Sequence, residues 1–358
     1  MLDSMLVDEV DAVEELEEAV RAGSWRDAGS VRGATRRLVH RARTWEPWSP
    51  AGRLDEGTET EEEFVLTGEL PVVPPLLGDG HGSRFHDLQA AAEMVREVSE
   101  FIGQTHFAVP AERTGIFYRY AIETGDIASW RLGRGPGRLT TTMAVRPGKV
   151  IDSVPRALDF RTALEMDGVA CGTATASVVF LPPVAHRIQR AQSRPVIPGP
   201  RRPGAAGAGG AGAAIRPAEV ARAHPGDVLI HSPSEAKHGR LSVSVSVHGH
   251  APVHAGGSPA GYPGNGHVPA LVQLETLRQT SLLTAGRACG LAPSRSTLGS
   301  LRVNFRGYAE PHLALRCAAV AGLPGRDGQG RRQVPVALTL TQAGRAVLEA
   351  VATVVEDF

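Results

Sequence analysis

The chain has 358 residues, of which 42% are hydrophobic and 21% are charged, an ordinary composition for a soluble globular protein with room for two domains. Its 38 Lys and Arg residues balance its 38 Asp and Glu residues. That balance excludes the global positive field with which proteins attract nucleic acid or an anionic membrane surface.

Residues 1–24 predict one acidic helix, because their apolar residues recur at spacings of three and four. We expect this helix to lie in an N-terminal extension, residues 1–34. The chain start lacks the basic segment and apolar run of a signal peptide, and no apolar run approaches the ~20 residues that cross a bilayer. The three cysteines form neither a CxxC pattern nor a disulfide framework. Together these features predict a cytoplasmic protein.

A segment rich in Pro, Gly and Ala divides the chain near its middle, at residues 193–214. Such a composition cannot bury enough apolar surface to order itself, so the segment is predicted to be a linker. It separates a first predicted domain, residues 35–192, from a second, residues 215–358.

Each predicted domain contains one long helix followed by several strands. The helices are predicted at 88–104 and 270–289, from apolar residues at helical spacing. The strands are predicted at 115–122, 139–145, 157–165 and 169–181, and then at 298–306, 313–320, 333–341 and 346–355. One helix followed by antiparallel strands, occurring twice, indicates an α+β fold with two similar halves.

Both helices carry a Glu-x-x-Arg motif, Glu93–Arg96 and Glu275–Arg278. Residues three apart share one face of a helix. If that face is covered, burial raises the pKa of the Glu towards that of a general base, whereas the Arg opposes the shift, and the sequence leaves the net direction open. The alternatives are a surface ion pair, or salt bridges that join the two halves.

Histidines and one aspartate flank these helices. His267 immediately precedes the second helix, whose N-terminal amides and dipole suit a thioester oxyanion or a phosphate; the alternative is a turn residue that contacts the backbone. Asp87 is predicted to cap the first helix. A further group, His248, His250 and His254, is predicted to face solvent and not to bind a metal, with His248 and His250 on one face of a strand.

These motifs resemble the A-factor biosynthesis family, whose members contain tandem hotdog repeats. The segments Leu38-Val39-His40-Arg41 and 222–229 resemble the openings of the two repeats, and 267–279 is the strongest match. Phe305-Arg306-Gly307-Tyr308-Ala309-Glu310 resembles the strand that follows. The resemblance covers about residues 35–190 and 215–358 and implies a tandem (double) hotdog, in which an antiparallel sheet wraps a central helix in each repeat.

The resemblance also implies an activity. Such an enzyme joins a β-ketoacyl thioester on acyl carrier protein to dihydroxyacetone phosphate, as an acyltransferase of γ-butyrolactone or butenolide signal biosynthesis, and needs no metal or redox cofactor. The candidate catalytic residues are Glu275, Arg278, Glu93 and His267. The candidate substrate-binding residues are Arg96, Val268, Ala270 and Gln279. The alternatives are a hydroxyacyl-thioester dehydratase or thioesterase, and a non-catalytic double hotdog that binds an acyl group or a protein partner.

Two expectations follow for the site. Glu93 and Glu275 should approach a common groove between the two central helices, with the segment around His267 at one end. Replacing Glu275 or Arg278 by Ala should abolish most product formation with little loss of fold.

Overall fold

The computed structural model describes residues 37–41, 61–70, 82–133, 137–193, 214–247 and 267–358. The predicted N-terminal helix, residues 194–213 of the predicted linker, and the histidines at 248, 250 and 254 lie outside the described residues. The predicted domain boundaries therefore stay predictions.

Three helices are described: α1 (Leu88–Thr105), α2 (Pro183–Ser193) and α3 (Ala270–Cys289). The strands of the first half are β1 (Arg37–Arg41), β2 (Glu62–Leu70), β3 (Thr114–Thr124), β4 (Gly137–Gly148), β5 (Ala157–Met166) and β6 (Val169–Leu181). Those of the second half are β7 (Ile230–His231), β8 (Arg240–Val245), β9 (Ser296–Phe305), β10 (Leu315–Ala321), β11 (Gly325–Arg326), β12 (Arg332–Gln342) and β13 (Arg345–Glu356). The predicted helices α1 and α3 and the eight predicted strands are confirmed, with small shifts at their ends.

The strands form one antiparallel sheet, in the order β1-β2-β4-β5-β6-β3-β9-β13-β12-β10-β8-β7, with β11 paired to β12 alone. From the centre outwards the first half reads β3-β6-β5-β4-β2-β1, and the second reads β9-β13-β12-β10-β8-β7. The long helix occupies the same place in both chain orders, between β2 and β3 and between β8 and β9. The two halves therefore have the same connectivity and meet where β3 pairs with β9, for example at Ala121 and Arg302.

Helix α1 presents the predicted apolar stripe to the core. Its buried side chains are Leu88, Ala91, Ala92, Val95, Val98 and Ile102. They recur every three or four residues, so one face of the helix packs on the sheet of its own half.

Helix α3 differs from the amphipathic helix that the sequence predicts, because all of its residues from 271 to 285 are buried. Strands β8, β10, β12 and β13, helix α1 and a short turn at 217–220 surround it. Its hydroxyl side chains satisfy themselves within the helix: Thr276 donates to the carbonyl of Val272 at 2.8 Å, and Thr280 donates to the carbonyl of Thr276 at 2.7 Å. Any charged residue on this helix therefore needs a partner inside the protein.

Candidate active site

Helix α3 carries a buried carboxylate with several donors. The Glu275 side chain is fully buried. Its Oε1 accepts from Nε of Arg222 at 2.9 Å and from Nε2 of Gln279 at 2.7 Å. Its Oε2 lies 2.7 Å from Nη2 of Arg222 and accepts from Nε of Arg278 at 3.0 Å, and Gln89 also donates to this oxygen. We call Glu275, its four donors and Asp87 the ionic network.

The ionic network joins the two halves. Asp87 precedes α1 in the first half, and its Oδ2 accepts from Nη1 of Arg222 at 2.8 Å. Its Oδ1 lies 3.5 Å from Nε of Arg278. The residue occupies the N-cap position, but its side chain makes no capping hydrogen bond, which corrects the predicted capping role. Two arginines of the second half instead hold this carboxylate.

The charges of the ionic network give the direction of the pKa shift of Glu275, which the sequence leaves open. Burial raises the pKa of Glu275, but the charges of Arg222 and then Arg278 outweigh burial, and the pKa falls to about 2. At neutral pH the group is therefore an ionised carboxylate whose oxygens are already occupied by donors. Such a group is a weak base, because its lowered pKa opposes proton transfer to it.

The other two motif residues of α3 bind the backbone near the start of the second half. Gln279 accepts from the amide of Leu229 at 2.8 Å and donates to the carbonyl of Asp227 at 2.7 Å. Arg278 donates from Nη2 to the carbonyl of Val220 at 3.2 Å. Both side chains thereby fix segment 220–229 against α3.

A cavity of about 400 Å³ lies between the halves, at the N-terminal end of α3. The first half contributes the second half of α1, the start of β3 and part of α2; the second half contributes the start of α3 and the loop after β9. Three candidate site residues, His267, Val268 and Ala270, line this cavity. Glu275, Arg278 and Gln279 do not line it. The structure therefore separates the predicted site residues of the second half into two groups.

Two imidazoles and a phenol form a cluster in the cavity wall. The ring of Tyr308 lies 5.1 Å from that of His267 and 5.5 Å from that of His186, centroid to centroid. Burial lowers the pKa of both histidines, and it raises the pKa of Tyr308 to about 12. At neutral pH the imidazoles are therefore uncharged and the phenol keeps its proton.

The tautomer of His267 follows from its neighbour. Its Nδ1 lies 3.2 Å from the carbonyl oxygen of Val268, which can only accept, so the hydrogen bond assigns the proton of the neutral ring to Nδ1. Nε2 then carries the lone pair that can accept a proton.

The first turn of α3 forms another part of the wall. The helix begins after Pro269, which takes the N-cap position. Gln273 donates from its side chain to the carbonyl of Val268 at 3.0 Å, and its buried Oε1 has no hydrogen-bond partner among the described residues. The amides of a first turn have no acceptor within the helix, and the positive end of the helix dipole lies beside them. This wall therefore favours a developing negative charge.

Residues 207–355 match the model of the A-factor biosynthesis hotdog domain. The second half of the chain is therefore similar to that family. The match covers α3, the ionic-network residues of the second half and the His267 segment, and it confirms the predicted hotdog fold together with the sheet that wraps α3. No curated protein sequence matches the chain.

Many solved structures have a similar fold, and three of them show how distant the similarity is. One is a protein of Novosphingobium aromaticivorans provisionally described as a thioesterase, with 14% identity, coverage of 82% of this chain and 96% of that chain, and a TM-score of 0.47. Another is the 12:0-ACP thioesterase of Umbellularia californica, with 9% identity, coverage of 82% and 98%, and a TM-score of 0.42. The third is a hot-dog-fold protein of Alicyclobacillus acidocaldarius, with 12% identity, coverage of 82% and 93%, and a TM-score of 0.45. Similarity this distant says nothing about the reaction.

The Glu-x-x-Arg motif of the first half is only partly described. Glu93 and Arg96 lie within α1, but their side chains are outside the described part of the chain. The groove expected to be shared by Glu93 and Glu275 therefore stays a prediction.

Sequence reasoning missed several functional candidates. Arg222 stands in the quoted repeat opening and Tyr308 in the quoted segment after β9, but their partners Asp87 and His186 are more than a hundred residues away along the chain. No spacing pattern pairs residues that far apart. His186 lies on α2, a helix that the sequence analysis did not predict.

The described ranges lack the features of a metal site and of a membrane-spanning helix. Those residues contain no group of three or more His, Cys, Asp or Glu side chains that could hold a metal ion. None of the described helices is long and apolar enough to span a membrane.

Proposed function

We propose that this protein is an acyl-thioester enzyme of the A-factor biosynthesis type, which transfers a β-ketoacyl chain from acyl carrier protein to a hydroxyl of dihydroxyacetone phosphate. The observation that carries the proposal is the cavity between the halves, walled by His267 and the first turn of α3 within the segment that matches the family. The product ester is the precursor of a butenolide signal, as the resemblance to the family implies.

The proposed reaction begins with the acceptor hydroxyl. Nε2 of His267 removes the hydroxyl proton as the oxygen attacks the thioester carbonyl carbon. The first-turn amides of α3 and the Tyr308 hydroxyl stabilise the oxyanion. The carbon–sulfur bond then breaks, and the leaving thiolate takes the proton from His267, so ester and carrier thiol are the only products.

The ionic network has a different part in this proposal. Glu275 and Arg278 act as positioning residues, because they hold α3 and segment 220–229 against the first half and so maintain the cavity. Val268 and Ala270 form cavity wall, and Gln279 supports the same backbone as Arg278. Catalysis by Glu93 and substrate contact by Arg96 remain proposals for the first-half helix.

One observation favours a second candidate, a hydroxyacyl-thioester dehydratase. Glu100 on α1 lines the same cavity as His267, so a carboxyl group and an imidazole come from opposite halves. Elimination of water needs a base at the α-carbon and an acid at the departing hydroxyl, which this pair could supply.

The deciding experiment offers the purified protein a β-ketoacyl carrier protein and a 3-hydroxyacyl carrier protein, each with and without dihydroxyacetone phosphate. Mass spectrometry should show a phosphorylated ester and free carrier thiol only from the β-ketoacyl donor with acceptor. A dehydrated acyl chain still on the carrier indicates the dehydratase, and a free acid indicates a thioesterase. Unchanged donors in every reaction contradict catalysis and leave a binding protein.

A further inference from the structure

Two half-buried arginines, Arg113 in the cavity wall and Arg156, form no salt bridge among the described residues. The buried Arg222 instead binds Asp87 and Glu275, and the buried Arg331 binds Asp126 and Asp327. Nη1 of Arg113 and Nε of Arg156 are buried atoms without a hydrogen-bond partner in the described ranges. Buried donors of a charged group are normally hydrogen-bonded, so these two nitrogens leave positions for acceptors of a ligand.

The sheet brings these two arginines to one place. Arg113 directly precedes β3 and Arg156 directly precedes β5, and both strands pair with β6. The amide of Phe180 donates to the carbonyl of Arg156 at 2.8 Å, and Phe180 faces Gly115 across β3 and β6. Two strand spacings, roughly 10 Å, thus separate the two backbones, a gap that two arginine side chains can close on a common ligand.

The local electrostatics agree with this placement. Burial and then the charge of Arg156 lower the pKa of Arg113, while the exposed Glu112 acts in the opposite direction. Arg156 is therefore close enough for its charge to act on Arg113. Two like charges at this distance repel each other, and an anion that lies between them removes that repulsion.

We propose that Arg113 and Arg156 bind the phosphate group of a phosphate ester whose remainder occupies the cavity. Arg113 lines the cavity itself, and the neighbouring wall is apolar at Ile116, Phe117 and Val179. Planar guanidinium groups bind phosphate oxygens in pairs, so two of them around one phosphate give a specific site.

The identity of this ester rests on the proposed function, in which two molecules carry a suitable phosphate group. One is the phosphate of dihydroxyacetone phosphate, and the other is the phosphate of the phosphopantetheine arm of a carrier protein. Both place a phosphate at one end and the reacting group at the other.

The test measures binding by calorimetry, without any reaction. The probes are dihydroxyacetone phosphate against dihydroxyacetone, and phosphopantetheine against pantetheine. We expect the wild-type chain to bind the phosphorylated member of one pair at least about tenfold more tightly, since charge-assisted hydrogen bonds are the strong ones. Which pair shows the preference identifies the source. Arg113→Gln and Arg156→Gln should each weaken that binding about tenfold and leave binding of the dephosphorylated probe unchanged.

The matched control is Arg161→Gln, which removes a charge from an exposed position on β5, the strand that directly follows Arg156. It should bind all four probes like the wild type. Arg113→Lys and Arg156→Lys keep the charge and the fold, and should weaken phosphate binding less than Gln does.

Equal affinity for both members of both pairs in the wild type overturns the proposal, as does a phosphate preference that survives both Gln variants. A preserved phosphate preference without ester formation contradicts the transfer reaction and not this site.

Discussion

At the scale of single residues, the ionic network changes what substitution of Glu275 should do. Glu275→Gln leaves Arg222 and Arg278 buried with Asp87 as their remaining carboxylate. Breaking a buried ion pair on one side typically costs about 3–5 kcal/mol of stability. We therefore expect Glu275→Gln to lower the free energy of unfolding by about that amount, measured by denaturant titration. This replaces the expectation from sequence that the fold would hardly change.

The control for this substitution is Glu349→Gln. Glu349 pairs with Arg306 at 2.7 Å, but both side chains are about half exposed. Exposed pairs contribute about 0–1 kcal/mol, so this variant should unfold almost like the wild type. Equal, small losses in both variants would show that the ionic network is not a stabilising feature.

The pH dependence of stability should report the same carboxylate. The pKa of Glu275 is lowered from 4.5 to about 2 in the folded protein, so its contribution is fully present above about pH 5 and is lost as the pH falls towards 2. The difference in unfolding free energy between wild type and Glu275→Gln should therefore be constant from pH 7 to about 5 and shrink below that. A difference that stays constant down to pH 2 would contradict the lowered pKa.

The proposed base is tested by its titration. Because burial lowers the pKa of His267, the imidazole is neutral at pH 7, and kcat/KM should fall on the acid side with an inflection below 6.5. His267→Gln should lower the rate by about 10²–10⁴ and abolish that inflection, with an unchanged melting curve. His231, exposed on β7, provides the matched His→Gln control. An acid limb that persists in His267→Gln assigns it to another group.

At the scale of elements, the stability of α3 depends on the glycine at its C-terminal end. Gly290 at its C-cap has φ of +68°, and a Cβ there would meet nothing within 4 Å, so only backbone strain opposes a side chain. Gly290→Ala should therefore cost about 1 kcal/mol in denaturant titration, and Gly290→Asn should cost less. Gly328 has equally open space without a positive φ, so Gly328→Ala is the control and should be nearly neutral. Equal effects at both glycines would exclude strain as the cause.

At the scale of the whole molecule, the β3–β9 pairing makes one sheet of the two halves. The residues that form it are Arg119–Glu123 and Ser300–Asn304, and the ionic network lies across the same junction. We expect hydrogen exchange to show β3 and β9 amides opening together with global unfolding, with the same dependence on denaturant. Amides of the short edge strand β7 should exchange faster, through local opening. Different opening energies for β3 and β9 would show that the halves unfold independently.

Local sequence patterns were enough to predict most helices and strands of this protein. Apolar periodicity located α1, α3 and eight strands, since side-chain spacing of 3.6 or 2 residues is a property of neighbouring residues. The missed elements have weaker local signals: β2 has Glu62 and Gly68 at inward-facing positions, and α2 is short and polar. The repeated helix-and-strand order predicted two similar halves, and the quoted motifs predicted the family.

The surroundings of the candidate residues depend on tertiary contacts and could not be read from the sequence. The sequence predicted an amphipathic α3 and left Glu275 as a possible base. The burial of the helix on every side is not visible in the spacing of its residues. Arg222 and Asp87 reach Glu275 and Arg278 from distant segments, and the charges of Arg222 and Arg278 set the sign of the pKa shift of Glu275. The cavity likewise joins α1, α2 and the start of α3. Such contacts depend on how the sheet brings two halves together, which the order of residues along one helix does not encode.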